Sequence, residues 1–284
     1  MMPNSRVEIP TMPAMSPFLS IVIPCYNEEK NLETGVLEEV HQYLVAQKFS
    51  GQVIIVNDSS TDRSRELVER FIQNKPHYHL FDIPHGGKPA AIWAGIQKAE
   101  GESILLTDMD QSTPIGELSK LLPWYEQGFD TVIGSRGSAR EGFSFLRKAG
   151  SFVFRNVRGL LLLRGISDTQ CGFKLFRRRV LLAVFPFLEF LRRTDQSAGW
   201  KVTAYDVELL YLIEKAGYRI KEVPVAWYNR DQSTTKSTSK GNWASYLRES
   251  WEMAQEIARV KANQLRGLYD EVEKAERHRA DSMQ

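Results

Sequence analysis

Four short runs of β-branched and aliphatic residues, each ending abruptly in polar positions, organise the N-terminal half of the chain. They are Leu19 to Ile23 before Pro24, Val53 to Val56 before Asn57-Asp58, Ser103 to Thr107 before Asp108, and Thr131 to Ile133 before Gly134-Ser135-Arg136. Runs this short, without polar alternation, suit strands buried on both faces of a parallel sheet. Between them, apolar residues recur at helical spacing over Glu28 to Gln47, Asp62 to Ile72, Pro89 to Ala99 and Pro114 to Glu126. Ser59, Ser60 and Thr61 offer N-caps, and Pro114 suits a first helical turn. Alternating strands and helices predict a doubly wound α/β sheet.

The second half is less regular. Phe143 to Leu163 reads as a helix with Arg147, Lys148, Arg155 and Arg158 among its apolar residues. Ala204 to Ala216 is a helix closed by Gly217, and Arg219 to Val225 a strand. Asp231 to Gly241 is a Ser/Thr/Lys-rich loop, and Asn242 to Tyr269 a long polar helix with Trp243 and Trp251 as packing residues. Residues 1–17 hold four prolines and no apolar core, and read as a disordered lead rather than a secretory signal. The expected organisation is therefore a lead (1–17), one α/β domain (18–241) and a C-terminal helix and tail (242–284).

Composition narrows the class. A chain of 284 residues is ample for one large α/β domain with extensions. No apolar run approaches the ~20 residues of a spanning helix; Val180 to Leu191 is interrupted by Pro186 and Glu189. Cys25 and Cys171 are far apart, which argues against a disulfide framework or zinc site and fits a reducing compartment. The five histidines form no metal cluster in sequence; His85 neighbours Gly86 and Gly87, a place where a ligand would be close. The net charge of +2 conceals an asymmetry. From Arg136 to Arg179, eleven basic residues face two acids, a local +9 that leaves −7 elsewhere. That field points to an anionic partner: a phosphate, a lipid headgroup or a nucleic acid. No nucleic-acid-binding module is present, so nucleic acid is set aside. Phe143, Phe145, Phe152 and Phe154 are suited to a membrane interface, although an amphipathic surface with snorkelling side chains has the same composition.

In doubly wound sheets ligands bind beyond the carboxyl ends of the strands. Asp58, Asp108 and Arg136 each follow a strand, so they are expected on one edge. Asp108-Met109-Asp110 places two carboxylates at i and i+2 just past a buried strand, where both can reach one hard divalent cation that bridges a diphosphate. By itself this pattern is also ordinary turn chemistry.

Six segments in order carry a resemblance. They are Ile21-Val22-Ile23-Pro24-Cys25-Tyr26-Asn27-Glu28-Glu29, Val56-Asn57-Asp58-Ser59-Ser60-Thr61-Asp62, Gly86-Gly87-Lys88-Pro89-Ala90-Ala91, Asp108-Met109-Asp110, Gly134-Ser135-Arg136 and Asp168-Thr169-Gln170-Cys171-Gly172-Phe173-Lys174. From about Leu19 to Arg230 the chain resembles a family 2 glycosyltransferase of the GT-A fold, a Rossmann-like, mostly parallel sheet flanked by helices. The last two segments are similar to the dolichyl- or polyprenyl-phosphate branch, the glucosyl members especially.

The resemblance implies that Pro24, Tyr26 and Glu28 line a nucleoside pocket, with Asp58 at the base or ribose. It implies Lys88 near the donor phosphates, Asp108 and Asp110 holding Mg²⁺ or Mn²⁺, Arg136 at the donor phosphate or sugar, and Asp168 shaping the sugar pocket. Arg147 and Ser151, one helical turn apart, match residues that grip an acceptor phosphate, with Arg230 and Lys236 expected to close over it. Two departures stand out. Asn57 replaces one of two usual acids, which leaves base recognition open. Ser112 stands where a Gln is expected and Gln111 follows Asp110 directly, which leaves a third metal ligand open.

The expected activity is inverting transfer of a hexose, glucose from UDP-glucose, to a polyprenyl or dolichyl phosphate. The site would be peripheral on the cytoplasmic face of a membrane. Two alternatives remain: transfer to a saccharide hydroxyl with Asp206 or Glu208 as base, and nucleotide-sugar binding without turnover.

Overall fold

The computed structural model describes residues 17–137, 163, 165–192, 205–233, 254–255 and 257–272. The strands expected from the apolar runs are present. They are β1 (Leu19–Cys25), β2 (Gly51–Asn57), β4 (Ser103–Leu106) and β5 (Thr131–Ser135), with β3 (Tyr78–Asp82) between β2 and β4 in the chain. Two more follow, β6 (Lys174–Arg177) and β7 (Ile220–Pro224). They form one sheet in the order β3-β2-β1-β4-β6-β5-β7. All pairings are parallel except those of β6, which runs antiparallel to both neighbours.

Helices cover both faces. They are α1 (Glu29–Glu33), α2 (Val36–Val45), α3 (Ser64–Ile72), α4 (Lys88–Lys98), α5 (Leu118–Glu126), α6 (Arg178–Val184), α7 (Glu189–Arg192) and α8 (Tyr205–Lys215). Alternate residues of each strand feed opposite cores, because successive side chains leave a strand on opposite faces. Val22, Ile54, Val56, Ile104, Leu106 and Ile133 pack with α4, α6 and α8. Ile21, Ile23, Val53, Ile55, Leu105 and Val132 pack with α2, α3 and α5. Each such side chain, fully buried, contributes roughly 1.5–3 kcal/mol. This double burial is why the strands carry no polar alternation.

Three local expectations are corrected. The single helix over Glu28 to Gln47 breaks at Gly35, whose φ of 83° is a conformation that glycine adopts without a Cβ clash. The N-cap of α3 is not Ser59, Ser60 or Thr61 but Arg63, which makes no side-chain cap bond; Asp62, just before it, accepts the Ser64 N–H on Oδ1 at 2.9 Å. Strand β6, inserted between β4 and β5, had no separate signal: only its first residue, Lys174, belongs to a segment read as a motif.

Residues 257–265 are helical and close over the α8 side of the sheet. Ile257 and Val260 enter the core there. The Tyr269 hydroxyl donates to Glu208 Oε1 at 2.8 Å, and Asn263 Nδ2 donates to Glu189 at 2.8 Å. Burial raises the Glu208 carboxyl above the usual range, with the Arg259 guanidinium opposing that rise. Glu208 is 1% exposed and thus belongs to the packing of the C-terminal helix, which removes it as a candidate base. Apart from Pro17 and Leu163, the expected lead and the helix over Phe143 to Leu163 lie outside the described residues, as do most of the Ser/Thr/Lys loop, Trp243 and Trp251.

Candidate active site

The topology assembles the site. β1, β2 and β4 are parallel; β5 opposes β6, which opposes β4, so β5 runs with β4, and β7 runs with β5. Their carboxyl ends therefore share one edge. The antiparallel β6 begins at that edge, which brings in the preceding loop from Asp168 to Gly172.

Asp108 to Ser112 turn immediately beyond β4. Met109, 2% exposed, anchors the turn in the core, with the two carboxylates on either side of it in sequence. Asp110 Oδ1 accepts the Ser112 N–H at 2.8 Å, and Gln111 adopts φ 48° with Nε2 donating to the Asp108 carbonyl at 2.9 Å. Asp108 Oδ1 meets Lys88 Nζ at 2.5 Å. A Cβ on Gly172 would lie 2.2 Å from Asp108 Oδ2, so any larger residue would force the loop or this carboxylate to shift.

Charge is concentrated here. Burial pushes the Glu28 carboxyl up to about 7; the Asn31 amide opposes the rise, and the carboxylates of Asp231, Asp110 and Asp108 add to it. Desolvation works against the Lys88 ammonium, but Asp108, Asp206 and Asp110 outweigh it and hold its pKa above the ordinary lysine value. Asp108 and Asp110 put two carboxylates at one turn, a donor type that suits a hard divalent cation, while among the described residues no group of three His, Cys, Asp or Glu forms a fuller ligand set. The buried Oε1 of Gln111 lacks a hydrogen-bond partner among the described residues, a further oxygen at the same turn. Asp108 and Asp110 are the residues that would hold the ion.

Lys88 is delivered by a glycine turn at the start of α4. The buried Asp58 carboxylate accepts the Gly86 N–H at 2.7 Å on Oδ1 and the Gly87 N–H at 2.9 Å on Oδ2. His85 Nδ1 lies 3.0 Å from Asp58 Oδ2, and the Tyr26 ring stacks on His85 at 4.5 Å. Asp58, expected at a base or ribose, thus shapes the turn that carries Lys88. Pro24 pairs with Val56 near the end of β1, and Asn57 is tied to Asp82 at 2.8 Å and to the Ser60 N–H at 3.2 Å.

On the other side, Arg136 forks onto Asp168: Nε to Oδ2 and Nη2 to Oδ1, both at 2.7 Å, with its backbone N–H to Oδ2 at 3.0 Å. Desolvation opposes the charge of Arg136, and Asp168 more than offsets it. The guanidinium lies 5.9 Å from the Trp227 ring centroid. Asp206, the remaining candidate base, pairs at 2.6 Å with Lys174, whose side chain is 1% exposed.

Arg230 stands beside the acid turn, its backbone N–H 3.4 Å from Ser112 Oγ. Its guanidinium makes a bidentate pair with Glu39 on α2, at 2.8 and 2.5 Å. The following residues bind α1, where Asn31 Oδ1 accepts the Gln232 N–H at 2.9 Å and Asn31 Nδ2 donates to Glu28 and Asp231. Arg147, Ser151 and Lys236 lie outside the described residues. Reading the sequence missed Asn31, Lys174 and Glu222 as parts of this network. Asn31 offered one signal, a polar residue three places from Glu28 in a helical pattern; Lys174 closed a motif without being given a role; Glu222, which accepts the Asp168 N–H at 2.7 Å, carried none.

Comparison with known proteins gives the family and the fold. The model of glycosyl transferase family 2 matches residues 20–185. A dolichyl-phosphate beta-glucosyltransferase of Trichomonas vaginalis is 35% identical over 249 residues, covering 82% of this chain and 73% of the relative. One from Dictyostelium discoideum is 31% identical over 269 residues, covering 89% and 76%. The crystal structure of glucosyl-3-phosphoglycerate synthase from Mycobacterium tuberculosis, in complex with Mn²⁺, UDP and glucosyl-3-phosphoglycerate, superposes with a TM-score of 0.54 at 14% identity, covering 86% of this chain and 78% of that one. The chain belongs to glycosyl transferase family 2, on the GT-A fold.

Proposed function

We propose that this protein transfers glucose from UDP-glucose to dolichyl or a related polyprenyl phosphate, with inversion, using Mg²⁺ or Mn²⁺. One observation carries the reading: Asp108, Lys88 and the Asp168–Arg136 fork stand at one sheet edge in a chain 35% identical to a dolichyl-phosphate beta-glucosyltransferase. When bound at Asp108 and Asp110, the cation supplies Lewis-acid stabilisation of the leaving diphosphate. Lys88 and Arg136 add cationic contacts to the donor phosphates. An oxygen of the acceptor phosphate attacks the anomeric carbon opposite the diphosphate. The carbon–oxygen bond to UDP then breaks, and its electron pair leaves on UDP. A phosphate is already anionic, so the step needs positioning rather than a strong base. The pairing of Asp206 with Lys174 supports this over the hydroxyl-acceptor alternative.

Arg147 and Ser151, which lie outside the described residues, are assigned to the acceptor phosphate because they match the residues that grip an acceptor phosphate in the branch this chain resembles. A panel of nucleotide sugars, assayed with Mn²⁺ and a short polyprenyl phosphate, tests the whole reading: UDP-glucose should be the best donor, and turnover should need the lipid phosphate. Transfer to a free sugar instead would overturn it. In the same assay Arg147→Ala should weaken acceptor use roughly tenfold to a hundredfold, the loss expected for one charge-assisted contact. Nucleotide binding by calorimetry should be unchanged. A collapse of donor affinity would move Arg147 to the donor site.

The acceptor also implies peripheral contact at the cytoplasmic face of a membrane. Among the described residues, no helix is long and apolar enough to cross a bilayer, and the net +9 segment is suited to anionic lipid. Flotation with anionic vesicles should therefore be salt-sensitive, since exposed charges are screened within about 8 Å at physiological ionic strength. Equal recovery with neutral vesicles would count against this contact.

A further inference from the structure

We infer that Glu222, on the edge strand β7, is a positioning residue for donor binding: it fixes Asp168 and, through Asp168, the guanidinium of Arg136. The inference rests on the reading of Arg136 as a donor contact.

Glu222 pairs in register with Ile133 of β5, three positions before Arg136, so a rigid part of the sheet carries it. Residues 165–170 belong to no helix or strand. Their position is set instead by side chains, and Glu222 supplies three bonds to two consecutive residues. Oε2 accepts the Ser167 N–H at 2.8 Å, while Oε1 accepts the Ser167 hydroxyl at 2.8 Å and the Asp168 N–H at 2.7 Å. Three acceptor contacts on adjacent residues fix both the place and the direction of the chain there.

Asp168 then accepts three bonds from Arg136, one from the backbone and two from the guanidinium fork. The fork uses two of the five guanidinium N–H donors. Its planarity orients the rest of the group, since a bidentate pair fixes direction as well as distance. The order of support is thus sheet, Glu222, Asp168, Arg136. Were Glu222 only a prop for the loop, its loss would lower stability and leave no specific dependence on Arg136.

A double-mutant cycle separates these cases. Glu222→Ala should weaken UDP-glucose binding, measured by calorimetry with Mn²⁺, by about tenfold in the otherwise unchanged protein and by less than about twofold in an Arg136→Ala background. Glu222→Gln keeps Oε1, which takes two of the three bonds, and should recover most of the affinity. Should Glu222→Ala fail to fold, the cycle is run with Glu222→Gln, whose smaller loss should likewise vanish without Arg136. Equal losses in both backgrounds, or no loss at all, would overturn the positioning role. Unchanged UDP-glucose binding by Arg136→Ala alone would overturn the donor role of Arg136 instead, so the two failures are distinguishable.

Discussion

Asp110→Asn is expected to reduce glucosyl transfer by about a thousandfold while leaving the fold intact. Asp110 is 6% exposed at the acid turn, and its Oδ1 accepts the Ser112 N–H at 2.8 Å. Asparagine keeps that acceptor, so the turn survives. What is lost is one negative charge from the pair that would hold the cation. Lewis-acid stabilisation of a leaving phosphate is worth several kcal/mol, and each ~1.4 kcal/mol is a factor of ten in rate. The thermal midpoint should move little, while transfer falls and no longer responds to added Mn²⁺. Excess chelator should bring the unaltered protein to a similar level. Full turnover in chelator, or by the variant, would sink the metal reading.

The second large effect is expected from a residue that carries no reactive group. Gly172→Ala places a Cβ 2.2 Å from Asp108 Oδ2 and 2.7 Å from its Cγ, contacts that cannot persist. Either the loop retreats or the Asp108 carboxylate swings away from Lys88, which it meets at 2.5 Å. The Asp108 side chain is 39% exposed, so swinging is the easier relief. Transfer should fall about a hundredfold, because misplacing a catalytic group by about an ångström costs that much. Stability should fall by no more than the ~1–3 kcal/mol of an overpacked site. Gly116→Ala is the control: nothing lies within 4 Å of its added Cβ, and activity should be retained. A Gly172→Ala protein with normal kcat and metal response would show that Asp108 tolerates displacement.

The apolar runs by themselves determined four of the strands, the Arg219 to Val225 pattern marked β7, and the polar residues that end the first four pointed to the edge where chemistry gathers. The reason is local: a strand buried on both faces has no polar alternation, and its end must turn polar where it meets solvent. The same logic made Asp58, Asp108 and Arg136 legible as one group. Motif order supplied the family, and with it the roles proposed for Lys88 and Asp168. Tertiary structure alone decided the rest. That β6 runs antiparallel between β4 and β5 depends on which strands it meets, and four residues, Lys174 to Arg177, carry no direction of their own. That Asp58 binds a glycine turn, that Arg230 pairs with Glu39, and that Glu208 belongs to the C-terminal helix follow from partners 28, 191 and 61 positions away. A carboxylate looks the same in sequence whether it will hold a metal, a backbone amide or a buried tyrosine. Only the fold selects the partner, because hydrogen bonds act over about 3 Å of space and not along the chain.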